Sequence, residues 1–151
     1  MIKCVILRGA TGVETTIPTG NNWTLIKMTN SNDAECYATD FVAIQSSGMF
    51  LLSPGYYYIS ASFYTKYSSA HTGNNDITIA LRGSDNTEYN ICVHSYYSNG
   101  NKSGAGPQLA GKVIYLSDNV TMGLYARAFH KETIVSNGNG ATWVSIVKLH
   151  D

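Results

Sequence analysis

No stretch of this chain keeps apolar residues at i, i+3, i+4 and i+7, and Gly, Asn, Ser and Thr recur too often for a long helix to survive. That single feature commits the chain to strands. Runs rich in Val, Ile, Tyr and Thr are separated by turn clusters such as Thr19-Gly20-Asn21-Asn22, Ser53-Pro54-Gly55, Thr72-Gly73-Asn74-Asn75 and Asn137-Gly138-Asn139-Gly140. The spacing predicts an all-β sandwich or barrel. Its strands are expected at 2–8, 12–17, 22–29, 40–45, 48–53, 56–67, 76–83, 87–97, 109–117, 119–130 and 141–150, with the second or fourth reduced to a bridge.

Successive side chains of a strand point to opposite faces, so alternation identifies the buried one. Within 56–67, Tyr57, Ile59, Ala61 and Phe63 form the core face, leaving Tyr56, Tyr58, Ser60, Ser62 and Tyr64 opposite. In 120–129 the core face is Val120, Met122, Leu124, Ala126 and Ala128, with Tyr125, Arg127 and Phe129 on the other side. The last strand is apolar on both faces, Val144 and Ile146 against Trp143, Val147 and Leu149. A two-sheet sandwich buries one face of each strand. Strands apolar or aromatic on both faces therefore call for another layer, and a neighbouring subunit is the natural one.

The composition narrows the function classes. Ten Lys/Arg balance ten Asp/Glu, and the cations are scattered, which argues against nucleic acid as a partner. Charged residues make up only 13% of the 151, against a disordered tail or solvated coiled coil. No apolar run approaches the ~18 residues of a membrane helix. The segment Met1-Ile2-Lys3-Cys4-Val5-Ile6-Leu7-Arg8 lacks the features of a signal peptide and reads as a first strand, so synthesis in a cytoplasm is expected. Cys4, Cys36 and Cys92 are odd in number and include no C-x-x-C pair, indicating neither a disulfide framework nor a zinc knuckle. The triplets starting at Asn22, Asn101 and Asn119 match the glycosylation pattern as chance products of an Asn/Ser/Thr-rich chain. No internal repeat or linker divides the sequence, so residues 1–151 are read as one domain.

Motifs for chemistry are missing. His71, His94, His130 and His150 lie far apart with no metal-ligand spacing, and Asp33, Asp76, Asp85 and Asp118 fall in expected turns. Gly100-Asn101-Lys102-Ser103 echoes a phosphate loop but has no helix to follow it, and there is no Gly-x-Ser-x-Gly elbow. No cofactor, metal or catalytic residue is expected. Eleven tyrosines remain to be explained, clustered at Tyr56-Tyr57-Tyr58 and Tyr96-Tyr97. They suit half-buried strands and subunit contacts, or a sugar-binding surface on which aromatic faces stack. The segment 98–107 is expected to be an exposed, mobile loop, with Tyr96, Tyr97, Asn99 and Lys102 as its candidate ligand or partner residues.

Three segments carry a family resemblance. Phe50-Leu51-Leu52-Ser53-Pro54-Gly55-Tyr56-Tyr57-Tyr58-Ile59 resembles the strand-turn-strand segment of C1q/tumour-necrosis-factor-like jelly rolls. Gly111-Lys112-Val113-Ile114-Tyr115-Leu116-Ser117-Asp118-Asn119-Val120 is similar to that family's apolar strand, Asp-containing turn and Val-led strand. Ala141-Thr142-Trp143-Val144-Ser145-Ile146-Val147 is similar to its terminal strand. The resemblance covers residues 40–150; residues 1–39, with Trp23, either complete the jelly roll or supply a docking surface. It implies a C1q/TNF-like jelly-roll β-sandwich that forms a homotrimer and carries no catalytic residues. The second-face aromatics Tyr56, Tyr58, Tyr64, Tyr125, Phe129 and Trp143 are then the expected trimer interface.

The leaderless, Cys-poor, Asn/Gly/Ser/Tyr-rich style is similar to jelly-roll proteins of bacteriophage particles. The first functional expectation is a capsid decoration or head-fibre protein on a virion surface, made in the host bacterial cytoplasm and bound to the major capsid protein or another fibre protein. The alternative is a receptor- or carbohydrate-binding tail-fibre tip with a host-surface glycan as partner. An extracellular C1q-like regulatory ligand and a hydrolase on the same scaffold are the remaining classes. Neither nucleic acid nor membrane is expected as a partner.

Overall fold

The computed structural model describes residues 3–10, 12–30, 40–102, 106–136 and 141–151. Within them the chain forms fourteen strands: β1 (Lys3–Gly9), β2 (Glu14–Ile17), β3 (Thr24–Ile26), β4 (Met28–Asn30), β5 (Val42–Ile44), β6 (Phe50–Leu52), β7 (Gly55–Ser62), β8 (Tyr64–Tyr67), β9 (His71–Gly83), β10 (Glu88–Asn101), β11 (Gln108–Leu116), β12 (Val120–Ala128), β13 (Thr133–Ser136) and β14 (Trp143–His150). Five pair in the order β11-β7-β14-β1-β4, and five more in the order β10-β9-β12-β6-β5 with β3 added beside β12. A third, small sheet runs β2-β13-β8. Every pairing is antiparallel.

The two large sheets close over one core. The expected inward residues Tyr57, Ile59, Ala61 and Phe63 are buried, as are Met122, Leu124, Ala126, Ala128, Val144 and Ile146, while Val120 is half-buried at the rim. Each large apolar side chain withdrawn this way contributes about 1.5–3 kcal/mol. Gly55 opens β7 at φ 142°, and a Cβ there would stand 2.7 Å from the carbonyl oxygen of His150, so the Pro54-Gly55 turn needs its glycine.

The fold differs from the expected elements in several places, and two expected runs divide because the chain changes sheet or pairing partner. The run 22–29 is two strands: β3 pairs with β12 and β4 with β1, so the chain crosses the sandwich at Lys27. The run 56–67 also divides, because Phe63 sends its N–H to the Pro107 carbonyl and β8 then pairs with β13. Strand β13 was missed altogether; only four residues long, it is defined by its partners β2 and β8. The turn expected at 72–75 and the start of the loop expected at 98–107 are instead the two ends of a long ribbon, with Tyr97 opposite Asn74 and Asn99 opposite Thr72. Residues 103–105 of that loop lie outside the described residues, as does Cys36.

Candidate functional site

The outward face of the five-stranded sheet gathers one aromatic group. Tyr56 packs between Tyr115 and His150, with ring centroids 4.6 and 4.4 Å away. Tyr58 stands in register between Val113 on β11 and Val147 on β14. Its ring lies against Gly111, where a Cβ would be 1.9 Å from Cζ; only a glycine leaves room for that pose. Trp143 lies further along β14, beside Ser62 and Arg8, and with Ile6, Arg8, Ser60 and Ser145 lines a hollow of about 260 Å³. Tyr58, Val113 and Tyr115 remain 43, 56 and 60% exposed. A soluble chain seldom leaves a contiguous apolar face of this kind without something to cover it.

The other expected interface residues lie elsewhere. Tyr125 and Phe129 belong to β12 and its end, in the opposite sheet, and Tyr64 begins β8 in the small sheet. Because β7 and β12 face one core from opposite sides, their outward residues point in opposite directions. The six residues thus form no single patch: Tyr56, Tyr58 and Trp143 share a face, and Tyr64, Tyr125 and Phe129 are not on it.

The expected ligand loop is likewise not one site. Tyr96 and Tyr97 are consecutive residues of β10 and so take opposite faces. Tyr96 packs toward the core, its ring stacked on His94 at 6.1 Å, while Tyr97 is 69% exposed. Asn99 is exposed on the ribbon, and Lys102, just past its end, accepts a hydrogen bond from the Tyr67 N–H at its carbonyl.

Sequence reading missed a cluster on the outward face of the six-stranded sheet. The guanidinium carbons of Arg127 and Arg82 lie 4.3 and 4.8 Å from the centroid of the Trp23 ring, and Arg82 is also 5.4 Å from that of Tyr125. Both arginines are half-buried. Among the described residues neither forms an ion pair, although Glu88 stands opposite Arg82 on β10, and Nε of each is buried without an acceptor. Alternation puts Arg127 and Tyr125 together on the outer face; only the β9–β12 register and the approach of Trp23 ahead of β3 bring in the rest.

At one end of the sandwich Lys148 turns inward opposite Tyr57. Its Nζ lies 2.7 Å from the Asp151 carboxylate and 3.1 Å from Ser53 Oγ, with the Tyr57 ring centroid at 5.8 Å. The hydrogen bond with Asp151 raises the Lys148 pKa above the ordinary lysine value, and the same bond lowers that of Asp151. A depressed carboxylate stabilises the fold above its unfolded pKa, near 3.9, and that contribution is lost as pH falls through its lower folded value. A thermal-unfolding series from pH 5 to pH 2 should therefore show a shallower acid loss in Asp151→Asn than in the parent.

Among the described residues no group of three or more His, Cys, Asp or Glu could hold a metal ion. The histidines have separate neighbours: His71 the Tyr67 ring, His94 the Gln108 carbonyl, His130 the Phe129 ring, and His150 the Tyr56 ring. No described helix is long and apolar enough to cross a membrane.

Two antiparallel sheets closed face to face, with the last strand set between the first strand and β7, define a TNF-like jelly roll. Solved structures agree. Eiger TNF from S. frugiperda superposes with a TM-score of 0.65 at 11% identity, covering 99% of this chain and 94% of that one. Murine APRIL superposes at TM-scores of 0.66 (pH 5.0, 13% identity) and 0.64 (pH 8.5, 10% identity), each covering 99% of this chain and 100% of that one. No protein-family model and no curated protein matches the chain.

Proposed function

We propose that this chain is a non-enzymatic, self-assembling surface protein whose three copies meet about a three-fold axis on the outward face of the five-stranded sheet. The observation that carries the reading is that face itself, where Tyr56, Tyr58, Val113 and Tyr115 stand together and the last three stay exposed among the described residues. Aromatic groups that combine area with a hydrogen-bonding tip are enriched in such contacts. The trimers of TNF-like jelly rolls supply the geometry.

On this reading the trimer decorates the outside of a bacteriophage particle, as a capsid decoration or head-fibre protein. Its support is the Asn/Gly/Ser/Tyr-rich composition, the few cysteines and the neutral charge. Light scattering on the purified protein, followed by mixing with undecorated capsids and with host cells, tests both parts. A trimer that coats capsids is expected. A monomer overturns the assembly, and a trimer that ignores capsids but labels cells overturns the decoration role in favour of a receptor-binding tip. The exposed aromatic Tyr97 on the long ribbon, in the opposite sheet, is the observation that favours this second reading.

A further inference from the structure

We infer that the open end of the β9–β10 ribbon binds an uncharged oligosaccharide, stacked on Tyr97 and held by the polar groups around it. Two rows of the register decide the placement: Tyr97 stands directly opposite Asn74, and Ser95 directly opposite Asp76. Because Ile77, Ile79 and Leu81 point into the core, Asn74 and Asp76 share the outward face of the sheet. Tyr97 and Ser95 share it too, since Tyr96 packs toward the core. Side chains opposite one another in an antiparallel pair lie about 5 Å apart, and diagonal ones about 7–8 Å. The four therefore form one patch that a single pyranose ring can span.

The chemistry of that patch selects the ligand. Tyr97 is the most exposed large apolar side chain among the described residues, and its ring offers the flat apolar face on which a sugar ring stacks. Asn74 and Asn99 are exposed beside it, and no described group bonds their side-chain amides, which match the hydroxyls of a sugar rim. Asp76 accepts the Ser95 hydroxyl on Oδ1 at 2.5 Å, which fixes the carboxylate near the tyrosine and leaves its other oxygen for a ligand hydroxyl. Among the described residues Asp76 forms no ion pair; Arg127, opposite Thr78, holds its guanidinium against Trp23 instead. An unneutralised carboxylate repels a second anion, so acidic sugars are disfavoured. On the far side of Asp76 the exposed Phe129, whose N–H donates to the Asp76 carbonyl, gives a second aromatic surface two strand spacings, or roughly 10 Å, from Tyr97. One sugar unit does not reach both, which makes the ligand an oligosaccharide. The patch lies in the sheet opposite the proposed trimer face; it gives the receptor-binding reading its ligand class and rests on that reading for its biological setting.

Screening the full chain against immobilised neutral and sialylated oligosaccharides, followed by NMR titration with the best neutral binder, tests the inference. Saturable binding of at least one neutral oligosaccharide is expected, with its sialylated counterpart at least tenfold weaker. The titration should move the backbone resonances of Asn74, Asp76, Ser95 and Tyr97 and leave those of Tyr58 and Tyr115 in place. Tyr97→Ala should weaken binding about tenfold or more, Tyr97→Phe should keep it, and Ile91→Ser, on the same strand outside the patch, should leave it unchanged. Both positions are exposed, so the variants should unfold at the parent's midpoint. No neutral binder, equal binding of the sialylated form, a response at Tyr58, or binding unmoved by Tyr97→Ala would overturn the inference. Cell labelling reports separately on the receptor reading. Host cells left unlabelled by a chain that binds the oligosaccharide remove the receptor role and keep the site, whereas labelling by a chain that binds no neutral oligosaccharide keeps the role and overturns the site.

Discussion

Tyr58→Glu is expected to reduce the particle in solution from three times the 16.4 kDa chain mass to one chain. Tyr58 lies at the middle of the apolar face, between Val113 and Val147 and against Gly111, where a docked copy would close over it. Burying a carboxylate there without a partner costs several kcal/mol, even after relaxation. Three chains each carry the change, so at about 1.4 kcal/mol per factor of ten the trimer should dissociate at micromolar concentration. The isolated fold should hardly notice, because Tyr58 is exposed within the chain and surface changes usually stay within about 0.5 kcal/mol. Tyr58→Phe keeps the ring and should keep the trimer. A Tyr58→Glu protein that remains trimeric with an unchanged unfolding midpoint would place the contact on another face.

Within the fold, alternation carries most of what the sequence makes legible. Tyr57, Ile59, Ala61 and Phe63 are inward in the strand run and buried in the structure, and the same holds for Met122, Leu124, Ala126 and Ala128. What alternation lacks is the identity of the sheet. Residues 22–29 and 56–67 each read as one strand because the hydrophobic pattern continues while hydrogen bonding passes to a new partner at Lys27 and Phe63. Pairing is a non-local property, and no local signal marks the hand-over.

The same limit scattered the expected site. Tyr56 and Tyr125 carry the same outward signature, yet belong to sheets on opposite sides of one core. Tyr96 and Tyr97 are neighbours in sequence, yet both belong to a strand, expected at 87–97 and extending to Asn101, that sends them to opposite faces. Trp23, Arg82 and Arg127 are far apart in sequence; cross-strand register and the entry into β3 bring them together. Two outward arginines on neighbouring strands were the available signal, and it becomes meaningful only when the register is known, which sets Arg82 opposite Glu88 and Arg127 opposite Thr78.

The largest loss of stability from a single polar residue is expected at Asn75→Ala. Asn75 falls in a cluster that reads as a turn, Thr72-Gly73-Asn74-Asn75, but its side chain is fully buried in β9. Its Oδ1 accepts the backbone N–H groups of His130 and Lys131, each at 3.0 Å, and its Nδ2 donates to Thr133 Oγ1 at 3.1 Å. One amide thus ties the long ribbon to the bend that leads from β12 into β13 and the small sheet. Truncation removes three bonds and leaves two backbone donors without their acceptor, at roughly 1–3 kcal/mol for each buried group left unpaired. Water reaches part of the bend, which brings the expected loss to about 2–4 kcal/mol and, at about 2–4 °C per kcal/mol for a chain of this size, a midpoint lower by roughly 4–16 °C. The neighbouring exposed Asn74→Ala should shift it by no more than a degree or two. Equal midpoints for the two variants would mean that the bend holds its place without the amide, and that β2, β13 and β8 are secured by their own pairing.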